Sequence, residues 1–509
     1  MNRINLKDAG LSGLSGLMLT ASFSPIGLDW IAWISLIPLL FSIKDKSPIV
    51  ALKLGLLAGL SHFLTLIYWI VVVLSHYGNI NFVLSLAVLF LLSLYLALYI
   101  AFFALIAVGF KRDRLFSLWG ASVWVALEYA RAHIMTGFPW CLLGYSQYSR
   151  LPLIQISDIS GVYGISFVIV LVNIVLYKIF FTYSPKKRKP MAIEITATSF
   201  LILLILIYGY HNLREKADVS SGGKKLRAVI IQGNIDQSLK WNPDFQKKTL
   251  AIYNELSGKS VDFKPQIIIW PETAVPFFFQ DRSHLSNEVF KAAKITNANI
   301  LFGSPAYAKE RDDTIYYNRA YIISKKEVFD YYDKVHLVPF GEYVPLKKYI
   351  PFVHRLVPAA GDFSPGNEAK PINTPDLRIG VLICFESIFP DISRKFAMQG
   401  AEFFVNITND AWFGRTSAPY QHLSMAVFRS IENGLPMARA ANTGISAFIL
   451  SNGKIVNKSG LFVREVLKNE IKLRRNKTFY SQNGDIFAIL VLIVAIIVSF
   501  RILTTKKRR

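Results

Sequence analysis

The sequence predicts a helical membrane protein with one α/β domain, and three observations support this. The chain of 509 residues is 52% hydrophobic and only 18% charged, whereas charged residues make up about a quarter of an ordinary soluble protein. Long uncharged segments fill the first 210 residues and recur once near the end. Between 211 and 484, short β-rich segments alternate with amphipathic ones. We therefore expect an α-helical membrane domain, with the α/β domain inserted before the last transmembrane helix.

Eight apolar segments are long enough to cross a hydrocarbon core of about 30 Å. They cover residues 8–24, 27–43, 51–75, 82–110, 115–133, 163–182, 191–210 and 485–503. The first is interpreted as an uncleaved helix, because no convincing small-x-small cleavage site follows it. This predicts seven transmembrane helices in a membrane domain of residues 1–210. Residues 211–484 then form the α/β domain, and residues 485–509 form the last helix and a basic tail.

The distribution of Lys and Arg among the short loops predicts the orientation of these helices, since cytoplasmic loops are enriched in both. The loops around 25, 76–81 and 134–162 contain only Arg150. The other set of loops contains Arg3, Lys7, Lys44, Lys46, Lys111, Arg112, Arg114, Lys186, Lys187, Arg188, Lys189 and the basic C-terminal residues 506–509. Both termini are therefore expected in the cytoplasm and the α/β domain outside it. Such clusters bind anionic lipid headgroups, so the net charge of +23 does not predict a nucleic-acid partner.

Cysteine and histidine usage predicts neither a disulfide framework nor a metal site. The only cysteines are Cys141 and Cys384, so one bridge between them is the only disulfide that an oxidising compartment could produce. The sequence around Cys384 accounts for that residue without such a bridge. The eight histidines lack metal-ligand spacing, and we expect no cofactor.

The α/β domain is predicted to contain at least eight strands and four helices. The strands are Leu226 to Gln232, Gln266 to Trp270, Ile300 to Gly303, Arg319 to Ser324, Val328 to Tyr332, Arg378 to Cys384, Glu402 to Thr408 and Ser446 to Leu450. The helices are Asp244 to Gly258, Ser286 to Thr296, Asp391 to Gln399 and Tyr420 to Asn433. Alternation of strands and helices is typical of a layered α/β domain.

Three residues that close or follow predicted strands carry complementary chemistry: Glu272, Lys334 and Cys384. A thiol attacks as its thiolate and needs a nearby base or positive charge. Glu272 can be the base. Lys334 can supply the charge and also stabilise an oxyanion, together with the backbone N–H after the nucleophile. Each residue alone has an ordinary explanation, as a buried small hydrophobe, a helix cap or a surface lysine, but together they favour catalysis.

The motifs around these residues resemble the nitrilase superfamily over about residues 226–470. Over nearly the whole chain, the sequence resembles the family of bacterial apolipoprotein N-acyltransferases. The residues that carry the similarity are Gln232-Gly-Asn234, Lys240-Trp-Asn242, Trp270-Pro-Glu-Thr273, Lys334, Leu337-Val-Pro-Phe-Gly-Glu-Tyr-Val-Pro345, Cys384-Phe-Glu386, Asn409-Asp-Ala-Trp-Phe-Gly414 and Gln421-His422. Weaker matches in the membrane part are Thr136-Gly-Phe-Pro-Trp140 and Gly144-Tyr145.

The resemblance implies an αββα sandwich, a Glu272–Lys334–Cys384 triad and a ping-pong acyl transfer on the periplasmic face of the bacterial inner membrane. Cys384 would take an acyl chain from a phospholipid as a thioester. The α-amino group of the N-terminal diacylglyceryl-cysteine of a lipoprotein would then receive that chain. The implied partners are therefore a phospholipid, a diacylated apolipoprotein and the membrane, and we expect a monomer.

The resemblance also implies roles for residues around the triad. Glu342 would be the family's second essential glutamate and would orient Lys334 or the amine, and Glu386 would be another required acid beside the nucleophile. Phe385 stands where family members often carry Tyr. Trp241 matches a functional family position and is either a substrate contact or an ordinary packed tryptophan. His422 is expected to be structural, and the Pro-rich stretch 343–365 to be a mobile lid.

Two other functions are compatible with parts of this pattern. A membrane-tethered nitrilase-type amidase would use the same triad, because water attacks a thioester as an amine does. However, a small soluble substrate would not require the membrane helices or the apolar runs Val275-Pro-Phe-Phe-Phe279 and Tyr349-Ile-Pro-Phe-Val353 that flank the candidate triad. A transporter with a binding module should show repeated, interrupted helices, and no such symmetry is visible in the sequence.

Overall fold

The computed structural model describes residues 4–110, 113, 115–182, 188–217, 224–310, 313–343, 362–474 and 477–506. The chain forms two compact units. The helical unit contains Met1–Val71, Val83–Arg214 and Asn483–Arg509, and the α/β unit contains Glu215–Gln482. The short segment Val72–Phe82 lies between two helices of the helical unit in sequence, yet it belongs to the α/β unit.

The helices of the helical unit include several that are long enough to cross a membrane. Their bounds are α1 Leu6–Ala21, α2 Ile37–Ser42, α3 Pro48–Leu66, α4 Trp69–Val72, α5 Phe82–Phe110, α6 Phe116–His133, α7 Leu151–Ile154, α8 Ser157–Phe181 and α9 Arg188–Ala217, with α15 Ile486–Lys506 near the C-terminus. Within the described residues, four stretches meet both the length and the apolarity of a membrane span: Pro48–Leu66, Phe82–Gly109, Ser157–Phe181 and Lys189–Arg214.

The other four predicted spans correspond to helices that are shorter or less apolar. The predicted span 27–43 is divided into a 3-10 segment, Asp29–Trp33, and the short helix α2, which has Pro38 in its first turn. Proline favours the start of a helix because it lacks the backbone N–H that a helix interior needs. The presence of helices that can span a membrane is thus confirmed, and the number of eight spans stays a prediction.

The α/β unit is built on two six-stranded sheets. The first sheet has the order β12-β1-β2-β3-β4-β5 and the second has the order β11-β10-β9-β8-β7-β6. Each has three parallel strands at its centre and antiparallel strands outside them. The bounds are β1 Lys225–Gln232, β2 Ile267–Ile269, β3 Asn299–Glu310, β4 Asp313–Ile323, β5 Val328–Asp333, β6 Ile372–Asn373, β7 Arg378–Ile383, β8 Phe403–Thr408, β9 Met437–Ala441, β10 Ala447–Ile449, β11 Ile455–Lys458 and β12 Glu465–Lys472.

Helices pack on both sheets, which confirms the predicted nitrilase-like fold class. Helices α10 (Pro243–Gly258) and α11 (His284–Thr296) bury apolar side chains against the first sheet. Helices α12 (Pro390–Met398) and α13 (Ala418–Asn433) accompany the second sheet. A further short helix, α14, covers Phe479–Asn483. Burying these apolar faces is the main stabilising contribution to such a layered domain.

All eight predicted strands are present, and four others were missed for physical reasons. Strand β9 reads Met-Ala-Arg-Ala-Ala, a composition that favours helix when read alone. Strands β11 and β12 lie at sheet edges and are rich in lysine, as edge strands commonly are. Strand β6 has only two residues, too few for a periodic signal.

The buried amide of Gln232 joins β1 to the residue before β10 and to the segment between β11 and β12. Its Oε1 accepts hydrogen bonds from Ser446 Oγ at 2.6 Å and Ser459 Oγ at 2.7 Å. Its Nε2 donates to the carbonyls of Gly460 and Val463 at 2.8 and 3.1 Å. All four hydrogen-bonding positions of the amide are therefore used. Removing the amide would leave the two hydroxyls and two carbonyls without this hydrogen-bond partner.

We expect Gln232→Leu to lower the free energy of unfolding of the α/β unit by about 2–4 kcal/mol, because unsatisfied buried groups cost about 1–3 kcal/mol each. The unfolding midpoint of the full-length protein in detergent should fall by roughly 5–10 °C. The control variant Gln266→Leu makes the same change at an exposed glutamine and should lower the unfolding midpoint far less. Equal midpoints for the two variants would contradict this role of Gln232.

Candidate active site

Cys384 begins the 3-10 turn that follows β7. Its φ of +51° lies in the left-handed region, which is strained for a residue with a side chain and is common at functional sites. The Ser387 hydroxyl donates to its backbone carbonyl at 3.0 Å, and His422 Nε2 lies 3.2 Å from the same oxygen. These contacts hold the backbone carbonyl of Cys384 in place. Cys384 is partly buried, and neither Cys141 nor Cys384 forms a disulfide.

A buried charged network lies behind this turn. His422, on α13, has its Nδ1 3.1 Å from Asp410 Oδ1 and its Nε2 2.8 Å from Ser387 Oγ. Arg439 Nη2 donates to Asp410 Oδ2 at 2.8 Å. Burial alone would raise the pKa of Asp410, but Arg439 and His422 outweigh it and lower this pKa to about 2. His422 contacts the carbonyl of the nucleophile and stays a predicted structural residue.

Glu272 lies just beyond β2 and is held by its neighbours. Its carboxylate accepts hydrogen bonds from Asn318 Nδ2 at 2.8 Å and from the backbone N–H of Asn409 at 2.9 Å. On the adjacent strand β3, a Cβ at Gly303 would lie 2.5 Å from the backbone nitrogen of Thr273 and 2.8 Å from Glu272 Cα. Glycine is therefore required at 303 for the Glu272 turn to approach the sheet this closely.

Lys334 follows β5 and is almost completely buried, with 1% of its side chain exposed. Its ammonium lies 2.8 Å from a carboxylate oxygen of Glu342 and 3.9 Å from one of Glu272. Asn318 Nδ2 also donates to Glu342, at 2.8 Å. One ammonium and one amide therefore link the two carboxylates, and the role of Glu342 in orienting Lys334 or the amine stays a prediction.

The electrostatics of the site favour a neutral thiol at rest. Burial raises the pKa of Cys384, the Glu272 carboxylate raises it further, and Lys334 opposes both effects without reversing them. Burial also raises the pKa of Glu272, which makes its carboxylate a stronger base. The pKa of Lys334 is raised by Glu342 and Glu272 despite burial, so its ammonium stays charged. A carboxylate base is thus needed to generate the thiolate.

Glu386 connects the strand end that carries Lys334 to the one that carries Cys384. One carboxylate oxygen accepts from the Tyr332 hydroxyl and the Val335 N–H, both at 2.8 Å, and from the His336 N–H at 3.2 Å. The other accepts from the Ile383 N–H at 2.8 Å. Burial raises the pKa of Glu386 to about 7. These four contacts suit a positioning role for its carboxylate.

The remaining predicted residues lie around this cluster. Half of Trp241 is exposed, and with Phe277, Phe278 and Phe363 it lines a mostly apolar cleft of about 550 Å³. The Phe385 ring packs edge-on against Phe389, with centroids 5.2 Å apart. Most of the predicted lid 343–365, namely residues 344–361, lies outside the described residues.

Sequence reasoning missed two polar residues of the site, Asn318 and Lys240. Asn318 is a buried amide within the aromatic-rich strand β4, and a polar residue at an inward strand position is the signal that would have identified it. Lys240 was noted only as part of a motif. It is 2% exposed, and its ammonium donates to the Glu272 carbonyl at 3.2 Å.

This fold and site define the α/β unit as a carbon-nitrogen hydrolase domain, and the family model for "Carbon-nitrogen hydrolase" matches residues 227–479. The model for the "Apolipoprotein N-acyltransferase N-terminal domain" matches residues 15–175. The chain belongs to the apolipoprotein N-acyltransferase family, and it is an acyltransferase.

Relatives match over almost the full length of the chain. The apolipoprotein N-acyltransferase of Geobacter metallireducens is 44% identical over 486 residues, which cover 95% of this chain and 92% of that protein. The one from Pasteurella multocida is 32% identical over 496 residues, covering 92% and 91%. A carbon-nitrogen hydrolase structure from Helicobacter pylori is 17% identical with a TM-score of 0.37, covering 49% of this chain and 89% of that one.

We expect Glu272→Gln to lower the pKa of the Cys384 thiol, because burial and the Glu272 charge both raise it and only the charge is removed. Alkylation of Cys384 by iodoacetamide, followed against pH by peptide mass spectrometry, should therefore have its midpoint at a lower pH than in the native enzyme. Glu255→Gln removes an exposed carboxylate on α10 and should leave the midpoint unchanged. A midpoint that moved upward in Glu272→Gln would contradict the described electrostatics.

Proposed function

We propose that this enzyme transfers an acyl chain from a phospholipid to the α-amino group of the N-terminal diacylglyceryl-cysteine of lipoproteins, through a thioester on Cys384. The observation that carries the proposal is the cluster that the partly buried Cys384 forms with the buried Glu272 and Lys334. This cluster belongs to a chain with membrane helices whose relatives are apolipoprotein N-acyltransferases.

In the first half of the reaction, Glu272 takes the proton of the Cys384 thiol, and the sulfur attacks the carbonyl carbon of the phospholipid ester. The electron pair of the C=O bond moves to oxygen, and the Lys334 ammonium stabilises this oxyanion. When the intermediate collapses, the ester C–O bond breaks. Glu272 returns the proton to the departing lysophospholipid oxygen, which leaves the acyl group on sulfur.

In the second half, the neutral α-amino group of the lipoprotein attacks the thioester carbon. Glu272 accepts a proton from this nitrogen while the oxyanion forms again beside Lys334. Collapse then breaks the C–S bond, forming an amide, and the thiolate recovers the proton from Glu272. The raised pKa of Glu272 suits both directions of proton transfer, since an effective general base has a pKa near the working pH.

Glu342, Asn318 and Glu386 act as positioning residues in this scheme. Glu342 and Asn318 fix the distance between Lys334 and Glu272 through hydrogen bonds of 2.8–2.9 Å. Glu386 connects the residues after Lys334 to the residue before Cys384. Phe385 needs no hydroxyl for the reaction, and all these residues come from one chain, so a monomer is sufficient.

The cleft that includes Trp241 is the proposed site for an apolar chain of the substrates. Its walls include three phenylalanines, and its volume of about 550 Å³ is in the range of small-molecule sites. It is connected to the candidate triad through neighbouring residues, because Lys240 precedes Trp241 and the Phe363 N–H donates to the Glu342 carbonyl at 3.0 Å. Trp241 would then be a substrate contact.

The proposed location is the bacterial inner membrane, with both termini in the cytoplasm and the α/β unit in the periplasm. A green fluorescent protein fused after residue 509 should fluoresce, because it folds in the cytoplasm. A Lys247→Cys variant, altered at an exposed position of α10, should react with a membrane-impermeant maleimide in spheroplasts. A dark fusion together with no labelling of the Lys247→Cys variant would contradict this orientation.

The acyl-enzyme provides the direct test of the proposed reaction. Incubation of the full-length enzyme with phospholipid alone should add one fatty-acyl mass to Cys384, and a diacylated lipopeptide should discharge it. Cys384→Ser should give neither the thioester nor N-acylated product, whereas Cys141→Ser should retain both. Discharge by water as fast as by lipopeptide would instead support the amidase.

A further inference from the structure

Lys240 is the second lysine of the candidate site. It lies in the segment between β1 and α10, and 2% of it is exposed. By contrast, the nearby lysines Lys247 and Lys248 of α10 are exposed to solvent. Lysine is rarely buried unless it is paired, so the burial of Lys240 requires an explanation.

The hydrogen bonds of Lys240 leave part of its ammonium unused. An ammonium has three N–H donors, and within the described part of the chain Lys240 has a single hydrogen bond, to the Glu272 carbonyl at 3.2 Å. A buried donor without an acceptor is costly. An oxygen atom of a ligand would satisfy the remaining donors.

The charges around Lys240 indicate where this ligand lies. Its ammonium donates to the Glu272 carbonyl at 3.2 Å and interacts electrostatically with Glu272 and Cys384, so it lies beside the candidate triad. Lys334 differs, because its ammonium is already held by Glu342 at 2.8 Å and lies 3.9 Å from Glu272. Lys240 is therefore the ammonium with the greater capacity to bind an incoming oxygen.

We propose that Lys240 contacts the substrate and donates to the carbonyl oxygen of the acyl group that is transferred on Cys384. The inference rests on the proposed function. As the sulfur–carbon bond forms, the C=O electron pair moves to oxygen. Lys240 and Lys334 then share the stabilisation of that oxyanion, and the pair returns to re-form the C=O bond when the leaving group departs. Lys240 gains and loses no proton.

A phospholipid also has anionic oxygens on its phosphate group, to which a buried ammonium could donate instead. The phosphate is separated from the reacting carbonyl by the glycerol backbone. A donor that interacts with the sulfur of Cys384 is therefore close to the carbonyl and not to the headgroup. This distinction makes a phosphate-free ester the informative second substrate.

The charge state of Lys240 is compatible with this role. Burial lowers its pKa to about 8, while Glu272 and Cys384 act in the opposite direction. Lys240 is thus protonated in most molecules at neutral pH.

The test is single-turnover formation of the acyl-enzyme, measured by intact mass, in Lys240→Met, Lys240→Arg and the exposed control Lys247→Met. Two donors are used: a phospholipid and the 4-nitrophenyl ester of the same fatty acid. Loss of one oxyanion donor lowers rates by about 10²–10³-fold. In Lys240→Met we expect a loss of this size with both donors. Lys240→Arg should partly recover the rate, and Lys247→Met should show no loss.

Alkylation of Cys384 by iodoacetamide separates this role from a structural one, since alkylation forms no oxyanion. In Lys240→Met, the fold-loss in the rate of alkylation should be at least about ten times smaller than the fold-loss in the rate of acylation. Equal losses of the two reactions, or unchanged acylation, would overturn the inference. A loss confined to the phospholipid would assign Lys240 to the headgroup and overturn it as well. If the native enzyme forms no adduct, the proposed function itself fails and this inference falls with it.

Discussion

The buried ammonium of Lys334 is the constraint on which the rest of the site depends. An isolated buried charge is strongly unfavourable, and a buried ion pair is tolerated only with good geometry and satisfied hydrogen bonds. Lys334 meets these conditions because Glu342 and Glu272 both lie within 4 Å. Asn318 satisfies one further position on each carboxylate.

This charge arrangement explains the organisation of the surrounding backbone. The ammonium can lie near both carboxylates only if the ends of β2 and β5 are held together. Gly303 lets the Glu272 turn approach β3, and Glu386 connects the Lys334 and Cys384 segments. The left-handed backbone at Cys384 is supported by Ser387 and His422. Preorganised charge of this kind stabilises transition states because it need not reorganise during the reaction.

The electrostatics also determine which protonation states the chemistry starts from. The thiol is neutral at rest, since burial and Glu272 together outweigh Lys334. A neutral thiol resists unwanted reactions, because the thiolate is the nucleophile. In the proposed reaction, proton transfer to Glu272 removes the carboxylate charge as it creates the thiolate charge, so the net charge of the site does not change in this step.

Much of this organisation was predictable from sequence, because catalytic groups of α/β sheets gather at strand ends and strand ends are readable. Glu272, Lys334 and Cys384 each follow a segment that was predicted as a strand and forms one. Asn318 and Lys240 were missed because their roles depend on neighbours distant in sequence, which periodicity does not reveal. The same limit explains strand β9, whose alanines are extended because neighbouring strands pair with them on both sides.

Lys334 and Glu342 shift the pKa of Glu272, the proposed base for thiol activation, in opposite directions. Burial raises that pKa, Lys334 lowers it and Glu342 raises it. The direct measurement is the acidic limb of the pH profile for single-turnover acyl-enzyme formation. The account predicts that Lys334→Met moves this limb to higher pH and Glu342→Gln moves it to lower pH. Shifts in the same direction, or no shift in either variant, would contradict it.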